Sequence, residues 1–310
     1  MRILVVGAGA VGGYFGGRLA EAGRDVTFLV RPRRAEQLRR TGLSVKSRFG
    51  DLSIAQPKIV VAHSTGDTFD LVLLSCKAYD LGDAIESLAP FMRKDTAVLP
   101  LLNGVRHLDL LQARFGSDCV VAGQCFIAAT LDEGGQIVHL SDQHGLSFGE
   151  LQPGISRRIE RIAQSMRGVK FEWRASETAV LEMWEKWVFL ATLAGCTCLM
   201  RAAIGDIVSA PGGLDFILGL FDECCAIATA HHYSTRPEFL ERWKHTLTAP
   251  GSLLTASILR DIESNSRIEA DHIVGDLLER GRTHGMNSPK LEIVYAHLKS
   301  YERRRERQST

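Results

Sequence analysis

A glycine-rich segment close to the N-terminus constrains the fold of this chain more than any other feature. Residues 7–12 read Gly-Ala-Gly-Ala-Val-Gly and follow an apolar run, Arg2–Val6, whose pattern predicts a buried strand. The next segment, Ala10–Ala22, has apolar side chains at helical spacing. Three glycines at this spacing between a strand and a helix are typical of a turn that binds the pyrophosphate of a dinucleotide. The alternative is a glycine-rich turn that binds no ligand.

Each position of this turn has a physical role in such a site. Gly7 permits the tight turn, Gly9 lets the backbone approach a pyrophosphate, and Gly12 lets the helix pack closely against the strand. The backbone N–H groups of Ala10 and Val11 lie at the start of the helix, where the helix dipole favours an anion. We therefore predict that all five residues bind a cofactor.

The end of the second predicted strand, Asp25–Val30, indicates which dinucleotide this is. In sites that bind NAD, a carboxylate at this strand end binds the ribose hydroxyls. The sequence has no carboxylate here and has Arg31, Arg33 and Arg34 instead. A guanidinium group can form bidentate hydrogen bonds with a 2′-phosphate. We therefore predict NADP (as NADPH), bound by Arg31 with Arg33 or Arg34 assisting, and the alternative is a solvated basic turn.

Strands and helices alternate through the first half of the chain. This alternation predicts an α/β fold with a Rossmann-type, doubly wound parallel sheet. Because Pro100 is unfavourable inside a central strand, the strand around it is expected to be short or to end early. The later predicted strands are Lys58–Val61, Leu71–Ser75, Ala97–Leu102 and Val120–Gln124, and the predicted helices are Arg34–Arg40, Leu81–Met92 and Leu108–Phe115.

The 310 residues are about right for two domains. Two strand-like pieces, Ile137–Leu140 and Gly145–Phe148, are expected to add antiparallel strands to the edge of the sheet. From about residue 155 the strand pattern stops, so we predict an NADP-binding domain over residues 1–175 and an all-helical C-terminal domain over residues 176–310. The predicted helices of this second half of the chain are Ile155–Met166, Glu177–Met200, Gly213–His231, Pro237–Leu247, Ser252–Glu263, Glu269–His284 and Pro289–Arg305.

Composition excludes several classes of protein. A net charge of +1 creates no field that favours nucleic acid or an anionic membrane. The longest uncharged apolar run, Trp187–Met200, is shorter than the roughly 18–20 residues needed to span a bilayer. The seven cysteines lack the spacing of a metal site and are typical of reduced thiols. We expect a soluble, cytoplasmic protein without a bound metal.

Further motifs follow one another along the chain in an order that resembles the ketopantoate reductase family. Together with the glycine turn, the resemblance spans nearly the whole sequence. The glycine turn is shared with many dehydrogenases, whereas the order and spacing of the later motifs are much more specific. These motifs are Leu74-Ser75-Cys76-Lys77-Ala78, Leu101-Leu102-Asn103-Gly104-Val105, Trp184-Glu185-Lys186-Trp187, Ser257-Ile258-Leu259-Arg260-Asp261, and Arg267-Ile268-Glu269-Ala270-Asp271 with Gly275.

The resemblance implies NADPH-dependent reduction of 2-dehydropantoate (ketopantoate) to pantoate, a step of pantothenate biosynthesis. It implies that Lys186 is the general acid and substrate anchor, that Glu269 holds the substrate hydroxyl and that Ser257 contacts the substrate carboxylate. It also implies that Asn103 lies between cofactor and substrate, and that Lys77 lies near the active site and binds the cofactor. The active site is then expected in the cleft between the two domains.

The same residues have interpretations that involve no catalysis. Hydride transfer to a carbonyl leaves negative charge on oxygen, which a lysine can stabilise and protonate. Lys186 lies in an apolar helix, however, where the alternative is a snorkelling surface lysine. Glu269 follows Ser266 at the spacing of a helix capping box. Asn103 with its following glycine is typical of a turn, and Lys77 of a solvated strand end.

Two positions depart from the family pattern. Leu190 and Ala194 stand where the family usually has asparagines, and neither side chain can donate a hydrogen bond to a substrate. A more apolar pocket favours a 2-oxo acid less polar than ketopantoate, and Arg201 is a candidate to bind its carboxylate. The rival functions are a reductase of the same fold with another 2-oxo acid and a non-catalytic NADPH-binding sensor. Apolar helices in the second domain permit a homodimer without requiring one.

Overall fold

The computed structural model describes residues 1–309 of the chain, which divides into two compact units. The first unit is Met1–Val180, and the second begins at Leu181. The domain boundary predicted from the sequence falls between Ala175 and Ser176, shortly before this division. Among the described residues, no helix is both long and apolar enough to cross a membrane.

The first unit contains ten strands, five α-helices and several short 3₁₀ turns. The strands are β1 (Arg2–Val6), β2 (Asp25–Val30), β3 (Leu43–Lys46), β4 (Leu52–Ile54), β5 (Lys58–Val61), β6 (Leu71–Leu74), β7 (Ala97–Pro100), β8 (Ala122–Leu131), β9 (Ile137–Gly149) and β10 (Glu172–Ala175). The helices are α1 (Ala10–Glu21), α2 (Pro32–Thr41), α3 (Leu81–Leu88), α4 (Arg106–Phe115) and α5 (Arg157–Ser165).

The main sheet is parallel and has the strand order β5-β2-β1-β6-β7. This order confirms the predicted Rossmann-type fold, in which the chain reverses direction across the sheet beside β1. Residues Ile3, Val5, Leu71 and Leu73 are fully buried, as expected for parallel strands covered on both faces. β7 ends at Pro100, which agrees with the expected short strand, and the N–H group of Leu101 makes one further hydrogen bond to the carbonyl oxygen of Leu74 at 2.8 Å.

A second, mixed sheet corrects one prediction. The segments predicted to extend the edge of the main sheet instead form the long strand β9, which pairs antiparallel with β8 and parallel with β3 and β10. An isolated bridge between Val98 and Val120 is the link that the described residues show between the two sheets. β3, β4 and β10 were not predicted, because their short runs carry few apolar residues. The main core of the unit lies between α1 and the two sheets, with Phe15, Phe28 and Phe148 in one buried cluster.

The second unit is helical, which confirms the all-helical C-terminal domain. One predicted helix starts later than expected, at Ser257 instead of Ser252. Another, predicted from Glu269, contains a π-helical turn over Asp271–Gly275. The helices are α6 (Ala179–Met200), α7 (Ile204–Ser209), α8 (Gly213–Ala230), α9 (Pro237–Leu247), α10 (Ser257–Glu263), α11 (Asp276–Thr283) and α12 (Pro289–Ser309).

Candidate active site

The glycine turn connects β1 to α1 in a conformation that only glycines allow at two positions. Gly7 has a φ of +92°, and its N–H group donates to the carbonyl oxygen of Leu29 at 2.9 Å. A Cβ atom on Gly12 would lie 2.0 Å from Ser75 Oγ and 2.2 Å from the carbonyl oxygen of Gly7. The predicted close packing of helix and strand at Gly12 is therefore present.

Gly9 is different, because no protein atom explains why it is a glycine. A Cβ atom at Gly9 would have nothing within 4 Å. Gly9 is also the N-cap residue of α1, and no side chain caps this end of the helix. Open space in front of uncapped N–H groups, including those at Ala10 and Val11, fits the phosphates of a dinucleotide.

Ser75 has a role that the sequence analysis did not assign. Its hydroxyl lies 2.8 Å from the carbonyl oxygen of Val6 and 3.1 Å from that of Gly7, and can donate to either. This hydroxyl group thereby connects the end of β6 to the end of β1 and stabilises the glycine turn. The only signal in the sequence was a small polar residue at the end of an apolar strand.

Lys77 and Asn103 lie at the same edge of the main sheet as the glycine turn. Lys77 follows β6 and is exposed, and Asn103 follows β7 and is half-buried. Because β1, β6 and β7 are adjacent and parallel, at about 4.8 Å between strands, their carboxyl ends lie side by side. Gly104 has a φ of +74°, so Asn103 does stand before a turn.

The three arginines after β2 have different environments. Arg31 Nη2 lies 3.1 Å from a carboxylate oxygen of Asp80 and 3.1 Å from one of Asp83. Arg33 is exposed. Arg34 donates to the carbonyl oxygens of Ala8 at 3.0 Å and Gly135 at 3.1 Å, and burial lowers its pKa. Arg34 thus supports the glycine turn, which leaves Arg31 and Arg33 as candidates to bind a 2′-phosphate.

In the second unit, Lys186 lies on α6 among buried residues. Its side chain is 8% exposed, and Trp187 beside it is fully buried. Glu185 is also fully buried, and its carboxylate accepts hydrogen bonds from Arg236 Nε at 2.8 Å and Nη2 at 2.6 Å. This ion pair satisfies Glu185 within its own unit, so we regard Glu185 as structural.

The π-helical turn joins the Glu269 segment to α6. Trp187 Nε1 donates to the carbonyl oxygen of Ile273 at 2.8 Å, and the N–H group of Ile273 donates to the carbonyl oxygen of Glu269 at 3.0 Å. Through Ile273, two hydrogen bonds therefore connect the backbone of Glu269 to Trp187, the residue next to Lys186. The helix begins at Ala270, after Glu269, so Ser266 and Glu269 do not form a capping box.

Ser257 is exposed and is the first residue of α10. The N–H group before it, that of Ala256, donates to Thr197 Oγ1 at 3.3 Å. Thr197 lies on α6 about 16 Å beyond Lys186, at 1.5 Å of rise per residue. Ser257 therefore lies beside the part of α6 that follows Ala194.

The likeness to proteins of known family agrees with this geometry. The family model described as "Ketopantoate reductase PanE/ApbA" matches residues 3–153, and its C-terminal counterpart matches residues 179–302. The uncharacterized oxidoreductase YkpB of Bacillus subtilis is 40% identical over 302 residues, which cover 97% of this chain and 99% of YkpB. This chain belongs to the ketopantoate reductase family.

Solved structures extend the likeness to the whole fold. The 2-dehydropantoate 2-reductase of Methylococcus capsulatus superposes with a TM-score of 0.87 at 27% identity, covering 98% of both chains. D-mandelate dehydrogenase, solved with NADH and anilino(oxo)acetate, superposes with a TM-score of 0.88 at 20% identity, covering 99% of this chain and all of the other. The chain is an oxidoreductase of the ketopantoate reductase family, and that fold is shared by enzymes with different substrates.

Two residues of α6 lie where the sequence analysis expects the asparagines of the family. Leu190 and Ala194 follow Lys186 one and two turns along the helix, and Leu190 is half-buried while Ala194 is buried. Arg201 lies just past the end of α6, about 22 Å along the axis from Lys186. The position of Arg201 does not test the suggestion that it binds the substrate carboxylate, which stays a prediction.

Proposed function

We propose that this member of the ketopantoate reductase family reduces the carbonyl group of a 2-oxo acid to a hydroxyl group, with NADPH as the hydride donor. The observation that carries the proposal is the buried Lys186, whose neighbour Trp187 is hydrogen-bonded to the segment that presents Glu269. A buried ammonium group suits the charge that develops on a carbonyl oxygen during reduction. A solvated surface lysine would not be 8% exposed.

The cofactor would be held by the first unit. The glycine turn offers N–H groups and open space to the pyrophosphate, and Arg31 is the proposed partner of the 2′-phosphate. Asn103 and Lys77, at the carboxyl ends of β7 and β6, are proposed to lie along the bound dinucleotide. When bound, the nicotinamide supplies the hydride that adds to the carbonyl carbon.

Residues of the second unit would supply the other half of the reaction. As the carbonyl bond becomes a single bond, the Lys186 ammonium group stabilises the oxygen and gives it a proton, leaving a neutral amine. The Glu269 carboxylate is proposed to accept a hydrogen bond from a substrate hydroxyl, and Ser257 to donate one to the substrate carboxylate. No further redox partner is required.

Ketopantoate is the first candidate substrate, because the chain belongs to the ketopantoate reductase family and is similar to 2-dehydropantoate 2-reductases. The second candidate is a 2-oxo acid with an apolar side chain. It is favoured by Leu190 and Ala194, which place no hydrogen-bond donor on the two turns of α6 after Lys186. D-mandelate dehydrogenase demonstrates only that the fold accommodates a different substrate.

The test is the rate of NADPH oxidation with ketopantoate and with branched aliphatic and aromatic 2-oxo acids. Lys186→Met, which keeps the length of the side chain but has no proton to give, is expected to lose at least about 100-fold in kcat, the usual contribution of a general acid. Lys244→Met, at an exposed lysine of α9, is the matched control and should retain full activity.

The outcomes separate the candidate functions. Turnover of ketopantoate that Lys186→Met abolishes would support the first candidate, and turnover of apolar acids alone would support the second. Binding of NADPH without turnover of any 2-oxo acid would contradict both and would favour a sensor. Equal activity of Lys186→Met and Lys244→Met would exclude Lys186 as the proton donor.

A further inference from the structure

The arginine proposed to bind the 2′-phosphate is held between two carboxylates. Arg31 Nη2 lies 3.1 Å from both Asp80 and Asp83, and the hydrogen bonds that Arg31 donates to Asp80 and then to Asp83 raise its pKa. The same interaction with Arg31 holds the pKa of Asp83 below its usual range, so this carboxylate is charged at neutral pH. His63 Nε2 also lies 3.1 Å from Asp83.

This cluster lies where the ribose of a dinucleotide binds in a Rossmann-type sheet. Arg31 directly follows β2, His63 follows β5, and the two aspartates lie between β6 and the first turn of α3. The end of β2 is tied to the glycine turn, because the N–H group of Gly7 donates to Leu29. The carboxyl ends of these adjacent strands hold the adenosine half of the cofactor in this fold.

The charges of the cluster oppose a 2′-phosphate. Asp80 and Asp83 both bind Arg31, so two carboxylates lie at the guanidinium group that a 2′-phosphate would have to reach. A phosphate monoester, with a charge of about −1.5 to −2, has to compete with both aspartates for Arg31 and is repelled by them. A 2′-hydroxyl group has no charge to repel, and it can donate a hydrogen bond to a carboxylate.

We infer that Asp80 and Asp83 lower the preference of this site for NADPH over NADH, and that Asp83 is a specificity-determining residue. The inference rests on the proposed function, since it takes for granted that the turn binds a nicotinamide dinucleotide. It goes further in naming the groups that set the choice between the two cofactors.

Asp83 is the better position for a test. Its side chain is 44% exposed, so Asp83→Asn removes a charge with little effect on packing, and Asp80 remains to orient Arg31. Glu86 offers a matched control on the same helix, because it pairs with Arg114 at 3.1 Å and not with Arg31. Glu86→Gln removes one negative charge from α3 without changing the cluster.

The experiment measures dissociation constants for NADPH and NADH by calorimetry, with adenosine 2′,5′-bisphosphate and 5′-AMP as fragments that need no turnover. Asp83→Asn is expected to raise the ratio of NADPH affinity to NADH affinity by about 3- to 10-fold, the effect of removing one partly solvated charge close to the phosphate. The two fragments should show the same trend, and Glu86→Gln should leave the ratio unchanged. Thermal unfolding of each variant checks that it is folded.

Failure of this inference and failure of the proposed function would give different results. If the ratio of NADPH affinity to NADH affinity in Asp83→Asn equals that of the wild type, whether or not both affinities change, this inference is overturned and the proposed function is left intact. A wild-type protein that binds neither cofactor would overturn the proposed function and the inference together.

Discussion

Gly9 and Gly12 are both glycines of one turn, but the structure gives them separate functions. Gly12→Ala would place a Cβ atom within 2.2 Å of two oxygens, one of them in the backbone, and is expected to destabilise the first unit by about 1–3 kcal/mol. Gly9→Ala meets no protein atom, so we expect a smaller loss of stability but weaker dinucleotide binding. Thermal unfolding and calorimetric titration with NADPH measure the two effects.

The contrast is contradicted if Gly12→Ala unfolds at the wild-type temperature, or if Gly9→Ala binds NADPH as tightly as the wild type does. Either result would mean that the backbone of the turn yields to a methyl group. The sequence pattern alone did assign roles to both glycines. It could not show that Ser75, together with the carbonyl group of Gly7, excludes a side chain at Gly12, because Ser75 and Gly12 are far apart in the chain.

Side-chain partners were in general the part of the site that the sequence did not reveal. Arg31, Arg33 and Arg34 form one basic run in the sequence, yet Arg34 is bound to backbone carbonyls of Ala8 and Gly135. Likewise, nothing in the sequence around Arg31 predicts its two aspartates. Such pairings depend on loops that follow different strands, and these loops meet only when the sheet has formed.

At the scale of elements, the hydrogen bond from Trp187 to the π-helical turn is testable. Trp187→Phe removes the indole donor to the carbonyl oxygen of Ile273, which we expect to destabilise the protein by about 0.5–1.5 kcal/mol beyond the loss of packing. Because the turn leads to Glu269, kcat should fall as well. Urea unfolding and steady-state kinetics measure the two effects.

Trp243 provides the control for this substitution. It is a buried tryptophan of α9 whose Nε1 has no hydrogen-bond partner among residues 1–309. Trp243→Phe therefore removes a similar volume but no hydrogen bond, and should cost less stability and leave kcat unchanged. Equal effects of the two substitutions would mean that the Trp187 hydrogen bond contributes nothing of its own.

Elements with strong periodicity were predicted well, and those defined by tertiary contacts were not. The strands β1, β2 and β5 have the predicted bounds because each consists mainly of apolar residues. β3, β4 and β10 are short and partly polar, and they depend on tertiary pairing, since β3 and β10 pair with different parts of β9 and β4 pairs with β3. The π-helical turn has no known sequence signal, since an ordinary helix has the same apolar spacing.

For the whole molecule, buried histidines make stability depend on pH. His144 is buried, with Nδ1 2.6 Å from the Tyr14 hydroxyl and its ring stacked on Phe49, and burial lowers its pKa. The unfolded chain therefore binds more protons than the folded chain just below the ordinary histidine pKa of 6.5. The contribution of neutral His144 to stability is therefore fully present above pH 6.5 and is lost as the pH falls through the lowered pKa of the folded chain.

We expect the thermal midpoint to fall between about pH 7 and pH 5, with a smaller fall in His144→Gln. His231 and His297 contribute with the same sign, since burial lowers both pKa values, so part of the dependence should remain. His232→Asn changes an exposed histidine at a positive φ that asparagine tolerates, and serves as the control. A slope that is identical in His144→Gln and the wild type would exclude His144 as a contributor.

The second sheet has a consequence for the order in which the protein folds. Val45 of β3 pairs with Ile137 of β9, so β3 can pair with β4 early but gains its parallel partner only when the chain has been made far beyond it. Arg34 gains its contact with Gly135 only when the hairpin of β8 and β9, whose turn contains Gly135, has formed. The glycine turn is synthesised well before β9, yet it acquires its final support only after the chain has been made through β9.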